Sequence, residues 1–313
     1  MIYLKSEVKN MIFNISGRCD IVAFYYPWLK KRLQEGYVDV RHPFDKNKIF
    51  RYPLNERSID ALVVCTKNPL PILQEPQSLL QYPTLIQITI TPYGKDLEPY
   101  VVPKKKIIEA TKQLSQIFGR NQIDVRYDPI VLTEKYTIAQ HIASFEHLVQ
   151  ALHQDVHVFI ISFVDEYKNT KKHGIRSLTL EEMNTLAKAF GKIAKKYNVC
   201  VQTCGEAVDF SCYGIKKGKC IDKEHLSEIT GHQIEWIKEK SKRQHCECAD
   251  YRDIGVYNAC PHYCKYCYAN FDEKLIDYHY VHHDPESSLL IGQLEKTDKV
   301  IEISFKPRQI TLF

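Results

Sequence analysis

Thr84-Leu85-Ile86-Gln87-Ile88-Thr89-Ile90-Thr91 decides the fold. Its β-branched residues alternate at a period of two, the pattern of a strand. The chain leaves it through Pro92-Tyr93-Gly94, enters a helical pattern from about Lys104 to Phe118, and reaches a second β-branched run at Gln122 to Tyr127. Strand, helix and strand at this spacing make a βαβ unit, whose strands lie parallel.

The alternation extends in both directions. Upstream, Met11 to Ile15 precedes a helix through Phe24, Trp28, Leu29 and Leu33 that Gly36 ends. Tyr37 to Arg41 and Asp60 to Cys65 follow as strands, with a helix around Ile72 to Leu80. Downstream lie strands at Val156 to Val164 and Asn198 to Thr203, with amphipathic helices at Ile138 to His153 and Leu180 to Tyr197. That makes seven strands, and Ile254 to Tyr257 is a short eighth. No early glycine-rich phosphate loop supports a Rossmann fold. The reading is an α/β protein with a TIM-type (β/α) barrel, complete or partial. Residues 1–203 form its main part. Residues 204–313 form a cysteine-rich C-terminal segment that is integrated with the barrel and closes its mouth. That segment carries one helix around His225 to Lys240 and a last apolar run, Val300 to Phe305.

Hydrophobic residues make up 44% and charged residues 26%, which is ordinary for a globular chain of 313 residues. The longest apolar runs, such as Val156 to Val164, are too short to span a bilayer. The N-terminus lacks a signal-peptide pattern, so a cytoplasmic location is expected. The net charge of +5 leaves nucleic acid open as a partner without arguing for it.

Nine of the eleven cysteines fall between Cys200 and Cys267, and clustered thiols in a reducing compartment point to metal. Cys260-Pro261-His262-Tyr263-Cys264-Lys265-Tyr266-Cys267-Tyr268-Ala269-Asn270 is a CxxxCxxC segment. Three thiolates so spaced can hold three irons of one 4Fe-4S cubane and leave the fourth iron open. A zinc knuckle is the alternative, but zinc sites favour paired CxxC or mixed Cys/His sets. Cys246-Glu247-Cys248 is a CxC pair that, with Cys204 and Cys220, could complete a four-thiolate site for a second iron-sulfur cluster or zinc. Cys204, at a strand end, could instead be a nucleophile or hydrogen-atom donor. Cys65 reads as a buried small hydrophobe, and Cys19, Cys200 and Cys212 show no pattern above that. His245, His262, His282 and His283 read as solvated or hydrogen-bonded rather than as ligands.

The strand ends are polar. They read Ser16-Gly17-Arg18-Cys19-Asp20, Arg41-His42-Pro43, Thr66-Lys67-Asn68-Pro69, Arg126-Tyr127-Asp128-Pro129, Asp165-Glu166-Tyr167 and Cys204-Gly205-Glu206. A solvated loop or structural ion pair explains any one of these. Their recurrence is the signal. In a barrel, Arg18, Asp20, Arg41, Lys67, Arg126, Asp128 and Glu206 would meet at one mouth. There the cations could bind a carboxylate or phosphate, and the carboxylates could orient hydroxyls or a ribose.

The segment from Cys260 to Tyr268 resembles the cluster motif of radical S-adenosylmethionine enzymes, in the version found in spore photoproduct lyases. The chain as a whole resembles an uncharacterised bacterial domain-of-unknown-function family. That likeness runs over Ser16 to Phe24, Thr66 to Pro69, Thr89 to Gly94, Arg126 to Pro129, Cys204 to Glu206, Cys220, Arg243 to Cys248 and Asp253 to Asn270. The radical-enzyme resemblance implies a 4Fe-4S cluster on Cys260, Cys264 and Cys267, with S-adenosylmethionine on the open iron and Tyr266 near the adenine. It also implies a 5′-deoxyadenosyl radical, a reductant of the flavodoxin or ferredoxin type, and a small-molecule or nucleic-acid substrate. Cys204-Gly205-Glu206 is similar to the Gly-Gly-Glu element that binds the methionine amine, with one glycine missing, which makes Glu206 a candidate cofactor contact. The triad follows the last strand here, whereas those enzymes carry it after the first. In a closed barrel the two positions are neighbours. Cys19 stands where the family is expected to carry threonine.

Overall fold

Val158–Phe163 is buried at every position, as a central strand of a parallel sheet covered on both faces should be. The computed structural model describes residues 2–8, 11–234 and 245–305. In chain order it begins with β1 (Ile2–Val8), β2 (Ile12–Ile15), α1 (Ile21–Glu35), β3 (Tyr37–His42), β4 (Asp45–Pro53) and β5 (Ala61–Thr66). It continues with α2 (Leu70–Gln74), α3 (Gln77–Leu80), β6 (Thr84–Thr89), α4 (Lys104–Phe118), β7 (Ile123–Ile130), α5 (Ile138–Leu152) and β8 (Val158–Phe163). Then come α6 (Lys168–Lys171), α7 (Leu180–Tyr197), β9 (Cys200–Cys204), β10 (Lys216–Gly218) and α8 (Lys223–Thr230). The last elements are β11 (Arg252–Asp253), α9 (Glu273–Val281) and β12 (Lys299–Phe305).

Eight strands form a wholly parallel sheet in the order β10-β9-β8-β7-β6-β5-β2-β11. Its register, for instance Ile88 beside Val125 and Val125 beside Phe159, sends alternate residues to opposite faces. Phe13, Val64, Ile88, Val125, Phe159 and Val201 join one large core with the apolar stripes of α1, α4, α5 and α7. Ile12, Ala61, Val63 and Leu85 on the other face pack against Ile221, Leu226, Cys248 and Ala249. The described parts of the connection between β10 and β11 therefore lie across the inner face of the sheet. The Ala249 N–H donates to the Ile221 carbonyl at 2.9 Å, and the Gln87 side chain donates to the Cys220 carbonyl.

Among the described residues β10 and β11 do not pair with each other, so the sheet is a parallel array with two edges. Two expected strands need correction. Tyr37 to Arg41 lies outside this array. As β3 it pairs antiparallel with β4, in a second sheet of order β1-β12-β4-β3, because only two residues, Pro43 and Phe44, separate His42 of β3 from Asp45 of β4 and leave no room for a crossover helix. The expected strand at Ile254 to Tyr257 is instead β11, two residues earlier, with just Arg252 and Asp253 paired to Phe13 and Asn14. The helix expected at Ile72 to Leu80 breaks into α2 and α3 before Pro76, and that expected at His225 to Lys240 is described only as α8; residues 235–244 lie outside the described residues.

Helix ends follow local chemistry. Thr179 and Glu182 cap α7 reciprocally, and Asp20 caps α1 by accepting from the Ala23 N–H at 2.9 Å. On α7, Gly191 lets the chain around Tyr213 approach: a Cβ there would stand 2.0 Å from the Tyr213 carbonyl oxygen. Gly191→Ala should therefore cost about 2–3 kcal/mol through overpacking, read as a lower urea midpoint with an unchanged slope.

Candidate functional site

Parallel strands bring all their C-terminal ends to one side. The ends of β2 and β5 through β9 there surround a cavity of about 750 Å³. Arg18, Asp20, Lys67, Arg126, Asp128, Cys204, Cys220, Cys246, Cys260, Cys264, Tyr266 and Cys267 line it, whereas Glu206 and Cys248 do not. Arg41 lies away from it, paired with the buried Asp298 at 2.7 Å beside the small sheet.

The CxxxCxxC loop is held by framework residues. Asp20 Oδ2 accepts from His262 Nε2 at 2.9 Å and from the Lys67 N–H at 2.7 Å. Its Oδ1 accepts from Thr66 Oγ1 at 2.8 Å and from the Ala23 N–H at 2.9 Å. Four donors fill the acceptor sites of one carboxylate, so Asp20 positions the wall of the cavity. Tyr25 donates to the Ala259 carbonyl at 2.7 Å, and Asn169 Nδ2 to the Cys267 carbonyl at 2.8 Å. Just before the loop, Asp253 ties β11 to β2: it accepts from Ser16 Oγ at 2.9 Å, the Gly17 N–H at 2.8 Å and Arg18 Nε at 3.2 Å. Gly255 is needed there because a Cβ would fall 1.9 Å from Ser16 Oγ.

Each cation on the wall has a carboxylate. Arg18 pairs with Asp253 at 3.2 Å, Lys67 with the buried Glu98 at 2.8 Å, and Arg126 with Asp128 through Nε at 3.0 Å. Glu98 also accepts from Thr91 Oγ1 at 2.6 Å, from the Tyr266 hydroxyl and from Lys104. Burial would raise the Glu98 carboxyl; the ammonium groups of Lys67 and Lys104 outweigh it and hold it at about 2. The Lys67 ammonium also lies 5.5 Å from the Tyr266 ring centre. Glu206 accepts from the Phe163 N–H at 2.9 Å, at the end of β8.

The eleven cysteines separate by environment. Burial pushes Cys264 up to about 12, partly offset by Lys67, and holds Cys260 well above the ordinary thiol range. The His262 backbone beside Cys260, and the Ala269 and Asn270 backbone beside Cys267, partly offset the effect of burial on these thiols. A second group is tighter: the Sγ atoms of Cys204, Cys220 and Cys248 lie within 4.8 Å of one another, with Cys220 and Cys248 3.4 Å apart. Cys248 is also within hydrogen-bonding reach of Cys246. Among the described residues the CxxxCxxC thiols form no such close group.

The sequence profile described as "Domain of unknown function (DUF1848)" matches residues 12–269, which takes in every element of the cavity wall. The chain belongs to this family. No curated protein matches it. Two solved structures are similar. One, described as an alpha-L-fucosidase from Bacteroides thetaiotaomicron, is 12% identical over 52% of this chain and 50% of that one, with a TM-score of 0.26. The other, HydG, a maturase of the FeFe-hydrogenase, is 11% identical over 74% of this chain and 56% of that one, with a TM-score of 0.32. The chain spans about half the length of either structure.

Sequence reasoning missed Glu98, Asp253, Gln87 and Asn169. Glu98 stands between Leu97 and Pro99, and Asp253 is a single acid ending the two-residue β11, so neither carried a spacing signal. Gln87 falls between Ile86 and Ile88 as an ordinary polar member of the alternation of β6, so it carried no signal either.

Two expectations follow. Glu98→Gln should leave Lys67 and Lys104 without their shared anion and cost about 3 kcal/mol in denaturant unfolding. Asp124, buried beside Gln87 with Oδ1 unpartnered, has its carboxyl raised by burial to about 7 from 3.8. A raised carboxyl favours the fold below its unfolded value, and that contribution is lost as pH rises through about 7. Stability should thus fall by roughly 3–4 kcal/mol between about pH 4 and pH 7 from this residue. Asp124→Asn should flatten that slope in urea midpoints measured across the range.

Proposed function

We propose that the chain is an iron-sulfur enzyme of the radical S-adenosylmethionine type, with a 4Fe-4S cluster on Cys260, Cys264 and Cys267. The observation that carries this reading is the placement of these three thiols on the wall of the cavity at the strand C-termini. The donor set fits a cluster. Cys260, Cys264 and Cys267 stand on one loop of that wall, where three thiolates can each take a different iron of one cluster. Burial raises all three thiols, and the backbone beside Cys260 and Cys267 and the Lys67 ammonium beside Cys264 offset part of that cost of forming the thiolates iron requires. When bound, the cluster supplies the electron that cleaves S-adenosylmethionine to a 5′-deoxyadenosyl radical able to abstract a substrate hydrogen.

The chain's own residues bind and orient. The cavity is of a size that takes cofactors and small ligands. Tyr266, with its hydroxyl fixed by Glu98, offers an aromatic wall for the adenine. Arg18, Arg126 and Asp128 present paired charges that can hydrogen-bond a ribose or carboxylate as a set. Because each wall cation is already neutralised, the cavity favours a polar small molecule over the phosphate backbone of a nucleic acid. A reductant of the flavodoxin or ferredoxin type would deliver the electron. Glu206, bonded at the end of β8 and off the cavity lining, has no part in this reading.

Anaerobically reconstituted protein given dithionite and S-adenosylmethionine should release 5′-deoxyadenosine, and Cys264→Ala should reduce that release at least about a hundredfold. A chain that binds iron and sulfide but never cleaves the cofactor would sink the proposal.

A further inference from the structure

The thiol group of Cys204, Cys220, Cys246 and Cys248 has no role in the chemistry above. Its members come from three places. Cys204 ends β9, Cys220 lies two residues beyond β10, and the CxC pair sits in the segment that runs into β11. Ligands of one tetrahedral zinc, with bonds of about 2.3 Å, stand about 3.8 Å apart. Here three sulfurs lie within 4.8 Å of one another and the nearest pair at 3.4 Å, so small movements would bring them to that spacing. A disulfide would need about 2.05 Å, and a cubane would spread its cysteines over separate irons.

We propose that these four cysteines hold one zinc ion, which fastens the connection between β10 and β11 to the edge of the parallel sheet. Four sulfur ligands in tetrahedral array select zinc or iron among common ions. Zinc imposes no geometry of its own, needs no sulfide, and suits a closed structural site. Four thiolates on a divalent ion carry a net charge of about −2, and Arg126, on the same cavity wall as Cys204, Cys220 and Cys246, is placed to offset it. The ion supplies a cross-link where the two sheet edges do not pair. It fixes the stretch that leads through Asp253 to Cys260, and so supports the cavity without acting on a substrate.

The site shares no ligand with the CxxxCxxC loop, so the two readings fail separately. The test uses the full chain carrying Cys260→Ser, Cys264→Ser and Cys267→Ser. It should hold about one zinc per chain, with a zinc-edge absorption spectrum showing four sulfurs at about 2.3 Å. Adding Cys220→Ser and Cys248→Ser should lower bound zinc at least about tenfold. If that variant does not fold, cobalt(II) loading of the chain with an intact quartet provides the second measurement, and should give the absorption bands of a tetrahedral thiolate centre. Absence of metal, iron with sulfide, a shell with fewer than four sulfurs, or a Cys220–Cys248 disulfide in peptide mapping would each overturn the proposal.

Discussion

The carboxylate of Asp20 is the constraint on which the cavity depends. One buried group joins the N-terminus of α1, the end of β5 and the cysteine loop some 240 residues later, through four donors. Leaving any of these donors without a partner in a buried wall would cost about 1–3 kcal/mol, so the four parts are held in one arrangement. The His262 ring must carry its proton on Nε2 to donate to Asp20, and its edge-to-face contact with Phe24 at 4.6 Å keeps it there. A loop with no regular secondary structure thereby becomes as fixed as the strands beside it.

Charge in the cavity is arranged on the same principle. Lys67 and Lys104 share Glu98, Arg18 shares Asp253, and Arg126 shares Asp128. Buried cations without such partners would be strongly destabilising. Pairing leaves a wall that is polar and preorganised rather than strongly positive, which bears directly on what can bind there.

The open sheet raises a different physical problem. A parallel sheet must be covered on both faces, and here the outer face takes the helices while the inner face takes the chain between β10 and β11. That chain is rich in cysteine, and among the described residues its hold on the sheet rests on Ile221, Leu226, Ile234 and Ala249 and on the thiols. The cysteine-rich composition of the segment has its physical setting in this covering role.

The sequence by itself determined the parallel strands, because period-two apolar runs separated by helix-length amphipathic stretches permit little else. β2, β5, β6, β7, β8 and β9 lie where the pattern puts them, and so do α1, α4, α5 and α7. It also marked Cys260, Cys264 and Cys267 as a unit, since their spacing is local. Only the tertiary structure decided what distant residues do. Tyr37 to Arg41 looks like any other strand until its antiparallel partner β4 is seen, and the Lys-Lys-Gly of β10 has no apolar pattern to read. Asp20, Glu98 and Asp253 are single acids among many in the sequence. Their partners lie tens to hundreds of residues away, and hydrogen bonding over such separations leaves no trace in local periodicity. The meeting of Cys204 and Cys220 with Cys248 was likewise settled by the path of the chain across the sheet, which no spacing rule contains.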